Sequence, residues 1–220
     1  MYKHVFSICA YGESPYLEDC VISIIRQKNA CPHVIMCTST PNRHIRDIAQ
    51  KYNIKLYVNT KSDGIWSDWM FAYRNANSQY VTIAHQDDKY DRLYLKNVME
   101  NADENMSMLF TDYLPIKNGI YGKRDANSRI RRLLRLPMKI KLFSKIKWMR
   151  KAIFRFGNSV CCPSCTYNKE VLKDNVFDKE WSYNIDWMSY AKMAELPHRF
   201  VYVDKQLTYY RIHDDATSSE

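Results

Sequence analysis

Between residues 5 and 88 the chain repeats one pattern: a short apolar run, then a stretch whose apolar residues recur at helical spacing. Residues 5–10, 33–37, 54–58 and 80–84 are the strand-like runs. Between the first two, Leu17, Cys20, Val21, Ile24 and Ile25 mark one face of a helix over 16–28. Thr40 and Pro41 offer an N-cap and a first-turn proline for a second helix through Ile45, Ile48 and Ala49. Residues 63–77 make a third. Strands joined by helices of this length pair through crossovers, which give a parallel sheet with helices on both faces. The expected fold is therefore α/β, a mostly parallel Rossmann-like sheet flanked by helices.

The pattern continues with a helix over 91–104 and a strand at 108–113. It resumes with a strand near 160–167, a helix over about 183–195 and a strand at 199–202. At 220 residues and 46% apolar, this reads as one domain over 1–220, divided into 1–113, an insertion at 123–156 and 157–220. No run approaches the roughly 20 apolar residues that a spanning helix needs. The first residues enter a strand directly, so no signal peptide is expected. None of the five glycines falls in G-x-G-x-x-G or G-x-x-x-x-G-K, which argues against a dinucleotide-dependent dehydrogenase and a P-loop ATPase.

Seven cysteines, an odd number without an export signal, fit reduced thiols in a cytosolic protein. Cys162-Pro163-Ser164-Cys165 has C-x-x-C spacing. The alternating residues around it suit a strand or turn better than the helix start of a redox motif, so the thiols are read as packing groups.

Charge is concentrated. From Lys123 to Arg155 there are 13 Lys and Arg against Asp125 alone, a net +12 that exceeds the chain's +9 and leaves the remainder at −3. Leu133, Leu136, Ile140, Leu142, Trp148 and Phe154 are interleaved with these cations. Such a segment, 128–156, suits an anionic membrane surface, at about 1 kcal/mol per basic residue. The alternative is a helical insertion packed on the domain. Nucleic acid is not expected, since no recognition module accompanies the charge.

In an open parallel sheet, ligands bind at the carboxyl ends of the strands. That singles out residues 10–13, 38–40 and His85-Gln86-Asp87-Asp88. Adjacent carboxylates after a hydrophobic strand are hard oxygen ligands suited to Mg²⁺ or Mn²⁺ shared with a diphosphate; a turn or helix cap is the plainer reading. Asp186, at the start of a helix, is either an N-cap or a general base. His213 would complete a metal shell with Asp87 and Asp88 if the chain returns there.

With these motifs in order, the sequence resembles the family 2 glycosyltransferases of GT-A fold, from about residue 5 to 218. Residues 6–11 with 16–20 and 23–27 are similar to the family's opening strand and helix. Gly64, Ala72, Arg74-Asn75 and Tyr80-Val81 resemble the approach to its DxD motif, where His85 stands in place of the first aspartate. Val176-Phe177-Asp178 with Asp186-Trp187 resembles the run to the catalytic base, with Ile185 preceding the base where the family has an acid. Arg211-Ile212-His213 with Thr217-Ser218 resembles the closing motif. Thr38-Ser39-Thr40-Pro41 replaces the family's acidic run after the second strand.

The resemblance implies an inverting transfer from a nucleotide-sugar donor, a UDP-sugar first, to a hydroxyl of a glycan or lipid-linked acceptor. Asp186 is then the base, and Asp87, Asp88 and His213 hold Mg²⁺ or Mn²⁺. Ala10, Tyr11, Glu13, Ser39, Arg74 and Asp87 bind the donor in the 1–113 half. It further implies bacterial cell-surface polysaccharide synthesis, of capsule or O-antigen type, by a cytoplasmic protein peripheral on the inner membrane face. The alternatives are a non-catalytic sugar-nucleotide or membrane-binding module of the same fold, and a nucleotidyltransferase. The latter would want a Gly- and Lys/Arg-rich loop that residues 11–15 lack.

Overall fold

The computed structural model describes residues 1–123, 126–181 and 184–213. Four parallel strands form its first half: β1 (Tyr2–Ala10), β2 (Val34–Thr38), β3 (Lys55–Val58) and β4 (Ser78–His85). They lie in the order β3-β2-β1-β4. The intervening helices are α1 (Leu17–Ile25), α2 (Arg43–Lys51) and α3 (Ile65–Asn75). A two-residue β5 (Lys89–Tyr90) and α4 (Tyr94–Asn101) follow, then β6 (Met106–Lys117) and β7 (Ile120–Tyr121). The second half adds α5 (Ala126–Arg135), α6 (Lys141–Ser144), α7 (Lys147–Ala152), β8 (Cys165–Asn168), α8 (Lys169–Leu172), α9 (Ile185–Met193) and β9 (Arg199–Ile212).

The sheet continues past β4 as β8-β6-β9-β5. β8 runs antiparallel to both β4 and β6, so β6 and β9 point the same way as β1. The carboxyl ends of all the long strands therefore share one rim. Alternating side chains feed two cores. Phe6, Ile8 and Ala84 pack with α1, α2 and α4, whereas Val5, Val81 and Ile83 pack with α3, α9 and the apolar residues of the insertion.

Three local expectations are corrected. The cap of α2 is Asn42, whose side chain accepts the Ile45 N–H at 2.9 Å; the Thr40 hydroxyl is already taken by the Gly12 N–H at 2.7 Å. The strand expected at 160–167 shortens to β8, because residues 162–164 form a 3-10 turn around Pro163. The final strand is far longer than 199–202: β9 follows β6 to Ile212, with irregular register around Asp112.

The basic segment is neither one helix nor uniformly solvated. α5, a 3-10 turn over Leu136–Lys139, α6 and α7 fold against the domain, with Met138, Ile153 and Phe154 in the core. Two of its arginines are buried. Arg135 donates to Asp112 at 2.7 Å and to the Ser159 carbonyl at 2.9 Å, beneath the Tyr202 ring. Arg150 donates to four carbonyls, of Ser144, Lys145, Ala194 and Leu196. Arg132 and Lys139 pair with Asp204, and Lys147 and Lys151 with Glu195. Among the described residues, no helix is long and apolar enough to cross a membrane. Thr217 and Ser218 lie outside the described residues.

Candidate active site

The turn after β1 begins the site. Ala10 is buried, and Tyr11 is 63% exposed at the rim. The Gln86 side chain clasps the Tyr11 backbone twice, accepting its N–H at 2.8 Å and donating to its carbonyl at 2.9 Å. Gly12 turns the chain at φ +60°, a region that L side chains rarely adopt. Two residues on, the Ser14 hydroxyl donates to Asp87 Oδ1 at 2.6 Å.

Asp87 is where distant segments meet. Its Oδ2 lies 3.5 Å from His213 Nε2, and its carbonyl accepts from Arg211 Nε at 2.8 Å. The Arg211 guanidinium sits 4.1 Å from the centre of the Tyr16 ring, which also packs against the His213 ring at 5.2 Å. The length of β9 is what carries His213 back to the rim.

Asp88 points elsewhere. Its carboxylate is 2% exposed and accepts the Arg211 backbone N–H at 2.8 Å, tying β9 to the turn. Burial first, then the neighbouring Asp87 charge, pushes its pKa up to about 8. Asp88 is thus turned under the rim and held by the Arg211 backbone, whereas Asp87 in the preceding turn position meets Ser14 and His213. His85 Nδ1 lies 3.9 Å from Asp88 Oδ2, and its ring stacks on Trp69 at 5.1 Å. Burial lowers the His85 pKa to about 4, so the imidazole is neutral near pH 7.

At the end of β2, Ser39 donates to Asp68 Oδ2 at 2.7 Å, and Asn59 donates to Asp68 Oδ1 at 2.9 Å. An acid therefore does reach this rim, supplied by the first turn of α3 rather than by the strand itself. The sequence reading missed Asp68, Asn59 and Ser14. The signal available was Asp68 placed one turn after the helix-opening Gly64.

Asp186 opens α9. One oxygen accepts the Trp187 N–H at 2.8 Å and the other the Asn158 amide at 2.6 Å. Burial raises its pKa, and these donors oppose the rise by favouring the anion. Trp187 Nε1 donates to the Phe154 carbonyl at 3.1 Å, so the residue after Asp186 is fixed to the end of the insertion. The Cys161 thiol feels both carboxylates: its pKa is raised by burial and then by charges that include Asp88 and Asp186. The cysteines are all free, as the packing reading expects; Cys162 and Cys165 are buried, and burial pushes Cys165 up to about 12.

Two donor-site expectations fare differently. Glu13 is exposed beside the β1 turn. Arg74 lies in the last turn of α3, just before the amino end of β4, and pairs with Asp174 at 3.3 Å. It is removed from the cleft because α3 runs back from the rim.

Among the described residues, no group of three or more His, Cys, Asp or Glu is set to hold a metal ion. Asp87 Oδ2 and His213 Nε2 nevertheless converge within 3.5 Å, a span that two bonds of roughly 2.1 Å can bridge. A hard cation commonly takes one or two protein ligands and completes its shell with substrate phosphates and water. The donor set fits that use.

A mostly parallel sheet that brings the carboxyl ends of β1, β2 and β4 to one rim, where the residue after β9 meets them, has the GT-A architecture. The chain belongs to glycosyltransferase family 2: the sequence profile described as "Glycosyl transferase family 2" matches residues 6–176. Asp186 and His213 lie beyond that match. No curated protein matches the chain in sequence. Among solved structures it is similar to TarS of S. aureus, with TM-score 0.71 and 18% identity over 98% of this chain and 37% of that one. TarS 1–349 in complex with UDP-GlcNAc gives 0.68 and 20%, over 100% of this chain and 61% of that one. The mannosyltransferase PcManGT from Pyrobaculum calidifontis, in complex with GDP-Man and Mn2+, gives 0.67 and 14%, over 97% and 58%. The chain spans less than two thirds of the length of each.

Proposed function

We propose that this protein transfers a sugar, with inversion, from a nucleotide-sugar donor to a hydroxyl of a glycan or lipid-linked acceptor. The convergence of Asp87 and His213, 3.5 Å apart at the rim although they follow strands from the two halves of the chain, carries the reading. The nucleoside lies along Ala10, Tyr11, Glu13 and Ser39. The Ser39–Asp68–Asn59 group supplies the acid that the second strand lacks and supports base recognition there. UDP is the first nucleotide to test, as in the TarS complex, with GDP the alternative that the PcManGT complex suggests.

Asp87 and His213 would hold Mg²⁺ or Mn²⁺, while Asp88 holds β9 in place behind them. When bound, the cation offsets negative charge on the departing diphosphate. Asp186 accepts the acceptor's proton as its oxygen attacks the anomeric carbon. Its burial favours proton uptake, while Asn158 and the Trp187 N–H keep it ionised enough to act. The biological setting we propose is bacterial surface polysaccharide synthesis, of capsule or O-antigen type, on the cytoplasmic face of the membrane.

The test is release of nucleoside diphosphate from a panel of UDP- and GDP-sugars, with and without Mn²⁺. Metal-dependent release from one donor, abolished in Asp186→Asn, supports the assignment. No release above background from any donor, with nucleotide and Mn²⁺ binding retained, turns the reading to a non-catalytic module.

A further inference from the structure

Among the described residues, eight of the sixteen exposed large hydrophobic side chains fall between residues 120 and 156. Isolated exposed apolar residues are ordinary, but concentration in one segment is not. Leu142 is 68% exposed, Trp148 66% and Phe156 83%. Leu142 stands two residues before buried Ser144, and Trp148 two before buried Arg150. Two residues turn a helix by about 200°, so each apolar side chain faces directly away from the domain. The Arg150 guanidinium binds the carbonyls of Ser144 and Lys145, which locks the two short helices together beneath that outward face.

Eight of the segment's cations fall into two sets. Arg132, Arg135, Lys139, Lys147 and Lys151 meet acids of the domain. Lys141, Lys145 and Arg155 are exposed and meet no acid among the described residues. They flank the same three apolar side chains. Cationic heads around projecting Trp, Leu and Phe match the headgroup and acyl layers of an anionic bilayer.

We propose that Leu142, Trp148 and Phe156, with Lys141, Lys145 and Arg155, form the face by which this protein sits on an anionic phospholipid bilayer. This deepens the transferase reading by assigning residues to its membrane contact. Phe156 is two residues from Asn158, whose amide binds Asp186. The contact would therefore set the proton-accepting carboxylate beside the lipid surface, where a lipid-linked hydroxyl would be presented.

The experiment is flotation of the whole protein with vesicles of phosphatidylcholine alone or with about one third phosphatidylglycerol, at low salt and at 0.5 M NaCl. Binding to the anionic vesicles should exceed binding to neutral ones at least tenfold and weaken at high salt, since about 1 kcal/mol per basic residue is roughly fivefold. Leu142→Ser/Trp148→Ser/Phe156→Ser should lower it at least tenfold with an unchanged melting temperature. Equal binding to both vesicles, no binding, or an unaffected triple variant overturns the proposal. So does a wild-type dimer in light scattering that the triple variant converts to monomer, which would mean a second copy covers this face. No arm uses nucleotide, so this result stands or falls independently of sugar transfer.

Discussion

Arg135→Met would measure how far the insertion is built into the domain. The guanidinium is 1% exposed and bonds Asp112, itself 2% exposed, at 2.7 Å. Removing one partner of a buried pair costs roughly 3–5 kcal/mol, chiefly through the charge left behind. Asp112 keeps a further contact, which favours the lower end, about 3 kcal/mol. The Ser159 carbonyl also loses its donor. In a chain of this length that is a fall in melting temperature of roughly 6–12 °C. Urea unfolding should show a lower midpoint with an unchanged slope. Adding Asp112→Asn removes the stranded charge and should recover more than about 1 kcal/mol of the loss. A single variant within about 1 kcal/mol of the parent, or a double variant no better than the single one, would refute the buried-pair argument.

Other consequences concern the site. Asp186→Asn should lower turnover roughly 10²–10⁴-fold while nucleotide affinity stays within about twofold, read by steady-state kinetics and calorimetry. Because burial raises the Asp186 pKa, the acid limb of the rate profile should lie above the ordinary carboxylate value of 3.8. The Asn158 amide favours the anion, so Asn158→Ala should move that limb to still higher pH; a limb that stays or falls counts against Asp186 as base. Asp87→Ala should abolish the Mn²⁺ dependence of donor binding in calorimetry, and an unchanged titration would exclude it as a ligand. Arg74→Ala should leave donor affinity within about twofold, because it lies at the amino end of β4, away from the rim where the strands end.

The first half of the fold is legible because its strands are short apolar runs, β3 at the sheet edge being the half-exposed one, and each helix has one apolar stripe. Beyond residue 113 the code thins. The second part of β9, Lys205 to Ile212, carries polar and tyrosine residues that pair mainly with β6 and β5, so local hydrophobicity does not announce it. The motifs at 85–88 and 211–213 are readable, but which of two adjacent carboxylates faces the cleft depends on the backbone direction after β4. Ser39 reads as a loss of charge because Asp68 arrives from another element. Counting cations likewise cannot separate Arg135 and Arg150, which are sealed inside, from Lys141 and Lys145, which are not.

The Gln86 clasp on Tyr11 limits how the donor loop can be re-engineered. A carboxamide offers one acceptor and one donor group at the reach that a single peptide unit demands. Glutamate at that position would leave the Tyr11 carbonyl unanswered, and lysine the N–H. Chimeras that exchange residues 11–13 to alter nucleotide choice should therefore carry residue 86 as part of the same cassette.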